Sequence, residues 1–138
     1  MAGLSYGMSK FVEAKMLGKR DKNVENAILQ WIGAVIEEKI PEGEIEQVLK
    51  DGVILCKLIN KLIPGFVAKI NTSGGDYKMM ENINKFLEGA KKYGVAQTDL
   101  FQTVDLYERR NIPVVTDCLL ALGRQTQKHP EYKGPSFE

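Results

Sequence analysis

One stretch near the middle of the chain, residues 53–63, is apolar on almost every side of a helix. Eight of its eleven residues are apolar, and the three polar ones, Lys57, Asn60 and Lys61, follow the spacing i, i+3, i+4. On a helix these three residues form one narrow polar stripe. A helix with so little polar surface has to be surrounded by other elements. The pattern therefore predicts the buried central helix of a small helical domain.

Apolar residues at helical spacing mark three further long segments. Together with the central one, they predict four main helices near residues 23–38, 51–63, 78–93 and 112–127, joined by shorter helical turns. No run shows the alternation of a half-buried strand. The predicted fold class is therefore all-α, with four main helices, a buried central helix and short connecting helices.

The residues at the ends of these segments are types that begin and stop helices. Short polar side chains accept hydrogen bonds from the free N–H groups of a first turn, and glycine or proline ends a helix. An acidic residue three positions before a glutamate resembles a capping box. The predicted end signals are Asp21 or Asn23, Asp51, Pro64-Gly65, Gly94, and Asp105 with Glu108.

Composition places few further limits. The chain has 138 residues, so one domain is expected, and such a chain buries roughly two-thirds of its unfolded surface. Lys and Arg number 19 against 18 Asp and Glu, a balance that argues against a nucleic-acid binder. The two cysteines, Cys56 and Cys118, lie in apolar helical runs and are expected as buried thiols of a reducing compartment rather than a disulfide. No signal peptide or membrane-spanning run is recognised, which predicts a cytoplasmic protein without a membrane partner.

Candidate chemistry is sparse. The one histidine, His129, stands in a polar segment before a proline, without the partners of a triad or a metal site. The pair Gly74-Gly75 lacks the glycine spacing and the Lys-Ser/Thr of a phosphate loop. Trp31 is best interpreted as a core anchor whose N–H needs a partner. The sequence therefore predicts a binding module with no catalytic, cofactor or metal residues, rather than an enzyme.

The order of several motifs resembles the calponin homology domain, and specifically the calponin and transgelin group with its invertebrate muscle proteins. The resemblance covers residues 21 to 137. The motifs that carry it are Leu49-Lys50-Asp51-Gly52-Val53-Ile54-Leu55-Cys56-Lys57-Leu58-Ile59-Asn60-Lys61-Leu62 with Pro64-Gly65, Met80-Glu81-Asn82-Ile83 with Phe86-Leu87, Tyr93-Gly94-Val95, Asp99-Leu100-Phe101-Gln102-Thr103-Val104-Asp105-Leu106-Tyr107-Glu108, and Gly134-Pro135-Ser136-Phe137.

This resemblance implies a calponin homology fold over residues 21–128, after an N-terminal amphipathic extension at 1–20 and before a C-terminal tail at 129–138. It also implies a monomeric cytoskeletal module that associates with actin filaments and cross-links or stabilises them, in muscle or contractile cells. One alternative is a signalling adaptor that binds a kinase or another cytoskeletal protein. A remoter alternative is a microtubule-end binder, which the near-neutral charge disfavours.

The resemblance loosely maps actin contacts to residues 24–36 and 100–124. Because the actin surface is acidic, exposed basic residues are the sensible candidates, although ordinary solvated charge is an alternative. The predicted partner-binding residues are Arg109, Arg110, Arg124, Lys128 and Lys133. Family members usually carry a short basic, glycine-rich repeat after Gly-Pro-Ser-Phe. The chain stops at Glu138, so it is expected either to be a fragment or to lack that repeat.

Overall fold

A computed structural model describes residues 20–136, so predictions for residues 1–19, including the amphipathic face of the extension, and for 137–138 lie outside the described chain. The described part consists of helices and turns, and no strand occurs in it. This confirms the all-α fold class. The helices are α1 (Lys22–Ile36), α2 (Ile45–Leu49), α3 (Val53–Leu62), α4 (Gly75–Tyr93), α5 (Thr103–Tyr107) and α6 (Ile112–Thr126), with a 3-10 turn at Gln97–Asp99.

Several predicted end signals act as expected. The Asp21 side chain caps α1 by accepting from the N–H groups of Asn23 and Val24. Asp51 accepts from the N–H of Val53 at 3.0 Å. Gly94 ends α4 at a φ of 125°, a conformation that favours glycine.

One predicted end signal was wrong. Asp105 is not the cap of its helix; it is the third helical residue, and its carboxylate accepts from the N–H of Gln102, which is the actual cap. The reason is that α5 starts early and stops at Tyr107, before a left-handed turn at Arg109, so Glu108 lies beyond it. Helix α4 begins at Gly75, three residues before the predicted start near residue 78.

The central helix α3 is buried, as predicted. Leu55, Cys56, Leu58 and Ile59 are each fully buried. Its polar stripe makes contacts within the domain, because Asn60 pairs with the backbone of Val67 through both its amide atoms. The last helix, α6, has a larger buried fraction than α3, with ten of its fifteen residues buried against five of ten.

The C-terminal ends of the four main helices lie on the same side of the molecule. Helix α3 runs alongside the second half of α4 in the same direction, because Gly52, just before α3, contacts Asn82, and Ile59 contacts Gly89 further along both helices. The next contacts bring in the other two helices: Lys61 lies 3.9 Å from Glu37, just after α1, and Gly94, just after α4, contacts Gln125 of α6. The carbonyl ends of α1, α3, α4 and α6 therefore converge.

Candidate functional site

The five predicted contact residues divide between the two ends of α6. Arg109 and Arg110 precede the helix, Arg124 lies in its last turn, and Lys128 and Lys133 follow it. A helix rises about 1.5 Å per residue, so the two groups are separated by roughly 20 Å along the axis. The structure therefore contains two separate basic groups instead of the single local group suggested by the sequence.

The group before α6 is only partly free. Arg109 is exposed and adopts a left-handed φ of 57°. Arg110 is exposed as well, but its guanidinium Nε lies 3.3 Å from the carboxylate of Glu108. The side chain of Asn111 then caps α6 by accepting from the N–H of Val114. These arginines thus belong to a short turn between α5 and α6.

The group after α6 is positioned by a tail that folds back on the domain. The ring of His129 stacks on that of Tyr93, with centroids 3.7 Å apart, and its Nε2 donates to the Tyr93 carbonyl at 2.8 Å. Further along, the indole N–H of Trp31 donates to the Pro135 carbonyl at 3.0 Å, the partner that the sequence required for it. The tail residue between these anchors, Lys133, is exposed.

His129 therefore has a structural role that its polar neighbours in the sequence did not reveal. Besides the contacts with Tyr93, its Nδ1 lies 2.9 Å from the carboxylate of Glu131. The carboxylate of Glu131 accepts hydrogen bonds from its own backbone and from the His129 ring, and these hold the pKa of Glu131 below its usual value. The Tyr93 hydroxyl beneath the tail has no hydrogen-bond partner among the described residues, and burial raises its pKa to about 12. Only the tertiary contact between α4 and the tail makes this arrangement visible.

A second cluster that the sequence missed lies at the opposite end. Arg20 makes two hydrogen bonds to Glu25 and two to Glu46, at 2.7–3.1 Å, and both carboxylates are almost completely buried. Carboxylate oxygens of Glu25, Glu44 and Glu46 lie within 4.8 Å of one another, a spacing that could suit a cation. Arg20 and Lys22 already contact these oxygens, so the arrangement works as an ion-pair network.

Three open grooves lie on the described surface. One groove, of about 540 Å³, lies along α1 between Asn26 and Gly43. Another, of about 490 Å³, includes Tyr77, which is 75% exposed at the start of α4. A smaller one of about 280 Å³ lies under the tail, next to Lys61 and Tyr93. Within residues 20–136, no helix is long and apolar enough to cross a membrane.

Comparisons with known proteins agree with the resemblance drawn from the motifs. The family model "Calponin homology (CH) domain" matches residues 22–128. The chain is 51% identical to Muscle-specific protein 20 of Drosophila melanogaster over 93% of its own length and 70% of that protein. It is also 51% identical to Myophilin of Echinococcus granulosus, over 97% of this chain and 70% of that protein.

Solved structures give the same answer for the fold. The calponin-homology domain of Rng2 from Schizosaccharomyces pombe superposes with a TM-score of 0.68 at 29% identity, covering 76% of this chain and 67% of that one. The calponin-homology domain of an IQGAP protein from the same organism gives a TM-score of 0.70 at 28% identity, covering 83% of this chain and 72% of that one.

Proposed function

Because the chain belongs to the calponin homology domain family, we propose that it is an actin-associated module of the cytoskeleton. It cross-links or stabilises filaments in the cytoplasm of muscle or other contractile cells. The observation that carries the proposal is the 51% identity to two relatives over almost the whole chain, one of which is named a muscle-specific protein. The proposed module spans residues 21–128, with residues 1–20 and 129–138 as flanking segments, and acts as a monomer.

The proposed contact residues are basic because the actin surface is acidic. Charge complementarity of this kind guides encounter and fixes orientation, and salt weakens it. The segment at residues 24–36 adds little charge of its own, since the exposed positions on α1 include Asn26, Gln30 and Ala34. The proposed contact with actin is therefore formed by basic residues around α6, which are Arg109, Arg110, Arg124, Lys128 and Lys133.

Cosedimentation with purified actin filaments tests the proposal directly. We expect the chain to pellet with filaments at low salt and to be released as salt is raised, because screening shortens the range of exposed charges. Replacing Arg109 and Arg110 by Glu should weaken binding, while circular dichroism should show an unchanged helical fold. A chain that stays in the supernatant at low salt, including a longer form with a C-terminal basic repeat, would contradict the proposal. That result would favour the alternative, a signalling adaptor that binds a kinase.

A further inference from the structure

The convergence of the helix ends collects basic residues from two helices that are distant in the sequence. Lys91 and Lys92 lie in the last turn of α4, Arg124 lies in the last turn of α6, and Lys128 follows it. Gly94 contacts Gln125, and His129 donates a hydrogen bond to the Tyr93 carbonyl, so the C-terminal ends of α4 and α6 are in direct contact. We refer to Lys91, Lys92, Arg124 and Lys128 as the basic end.

The cations of the basic end are free, whereas most of those at the opposite end are paired. All four side chains are exposed, and none of them takes part in an ion pair within residues 20–136. At the opposite end, Arg20 and Lys22 are held by buried or half-exposed carboxylates, and Arg110 by Glu108. Although the net charge is only +1, the basic end thus brings four unpaired cations to one end of the molecule, whereas other lysines that are unpaired in the described chain, such as Lys69 and Lys85, lie elsewhere.

The acidic residues near the basic end neutralise it incompletely. Glu37 and Glu38 lie within 4 Å of Lys61 and Lys57, and Glu131 lies beside His129. Glu88, one turn before Lys92, forms no ion pair within the described residues. One additional lysine that is unpaired in the described chain, Lys133, lines the groove under the tail at this same end and extends the positive surface.

Helix dipoles explain only part of this charge. A basic residue in the last turn is stabilised by the negative end of its helix, which accounts for Lys91, Lys92 and Arg124 as stability features. The dipole effect falls off within the last turn. Lys128 lies beyond α6 and Lys133 in the tail, so these two lysines gain little from it. A surface for an acidic partner accounts for the whole set.

We propose that the basic end is the face through which the domain docks on the acidic surface of the actin filament. This inference rests on the proposed function and adds Lys91 and Lys92, which the sequence did not suggest, to the contact. A polar protein surface fits better than a lipid bilayer, because membrane-bound helices also insert apolar side chains. The large exposed apolar side chain of the described chain, Tyr77, lies at the opposite end of α4.

The test compares charge reversals that change the net charge equally. The K91E/K92E and R124E/K128E variants reverse the basic end, and K69E/K85E is the matched control, since both of its lysines are exposed and unpaired within the described chain. In cosedimentation at low salt we expect each basic-end variant to bind filaments about tenfold more weakly and the control to stay within about threefold. R109E/R110E should have a smaller effect than either basic-end variant.

The outcomes distinguish this inference from the proposed function. Wild-type chain that pellets with filaments, together with K91E/K92E that binds like the control, would overturn the inference and leave actin binding intact. Wild-type chain that stays in the supernatant would overturn both. Binding of the wild type to phosphatidylserine vesicles but not to filaments would assign the basic end to membranes and overturn both as well. Equal melting temperatures of all variants exclude unfolding as the cause of lost binding.

Discussion

At the scale of single residues, Asn82 fixes the start of the central helix. Its side chain is 1% exposed and donates to the carbonyls of Asp51 and Asn71, while its oxygen accepts from the N–H of Asn71. Gly52 lies directly against it at a φ of 74°, and a Cβ there would be 2.6 Å from that of Asn82. The Asp-Gly pair before α3 is thus required by a close tertiary contact as well as by helix capping.

Truncation of two apolar side chains on α3, Leu58 and Ile54, should lower stability by different amounts. Leu58 is fully buried, whereas Ile54 is partly exposed at the edge of the core. We expect Leu58→Ala to lower the free energy of unfolding by ~2–5 kcal/mol, through lost burial and the cavity left behind. Ile54→Ala should cost only about 1–2 kcal/mol, because part of its surface already faces water. Urea denaturation measures both; equal losses would contradict the burial pattern.

At the scale of elements, Arg20 joins α1 to α2. Its guanidinium lies between Glu25 on α1 and Glu46 on α2, and these two residues are almost completely buried. A buried carboxylate without a partner is strongly unfavourable, so both Glu25 and Glu46 depend on Arg20. The network, together with the buried side chains of Ile45 and Leu49, fixes the short helix α2 against α1.

This network makes stability depend on pH at the acidic side. Hydrogen bonds from Arg20 lower the pKa of Glu46 below its ordinary value of 4.5. A carboxyl group whose pKa is lower in the folded than in the unfolded state stabilises the fold at pH values above its unfolded-state pKa. This contribution is lost as the pH falls through the folded-state pKa. We expect Glu46→Gln to reduce the free energy of unfolding at pH 7, with a difference from wild type that shrinks toward pH 3.

Urea denaturation at both pH values measures this difference. Glu42→Gln serves as the control, because Glu42 is exposed and forms no ion pair within residues 20–136. Its difference from wild type should stay small and constant across the pH range. A Glu46→Gln difference that grows as the pH falls would contradict the role of the Arg20 ion pair.

At the scale of the whole molecule, the core is continuous from α1 to α6 and closed by the tail. Trp31 on α1 is bonded to Pro135, 104 residues away, and His129 fixes the tail to the end of α4. Both thiols lie inside this core, and burial raises the pKa of Cys56 and of Cys118 to about 12. Contacts this distant in sequence imply that the domain unfolds cooperatively.

The reactivity of the two cysteines should therefore report on global unfolding. Only a thiolate reacts rapidly with disulfide reagents, and neither buried thiol forms it readily in the folded protein. We expect native protein to react with a thiol-specific disulfide reagent at least about a hundredfold more slowly than protein in denaturant, where both cysteines react. Rapid labelling of either residue under native conditions would show that its part of the core opens locally.

The spacing of apolar residues predicted the four main helices, and the structure moved most of their ends by only a few residues. That success has a physical basis, since a helix that must bury one side repeats its apolar residues with the helical period. Polar end signals were less reliable. Asp105 could belong to either of two overlapping capping patterns, and only the position of the turn at Arg109 decides between them.

The sequence by itself determined the helices, the buried central segment and the family, because each depends on local spacing or on motifs in order. Only the tertiary structure decided which polar groups meet. Arg20 contacts Glu46, 26 residues away, and the end of α4 meets the end of α6 where Gly94 contacts Gln125, because helix packing brings distant parts of the chain together. Apolar contacts tolerate many partners, whereas ion pairs and hydrogen bonds need specific distances. Such distances are set by the packed fold, so the candidate contact surface could not be located from the order of residues.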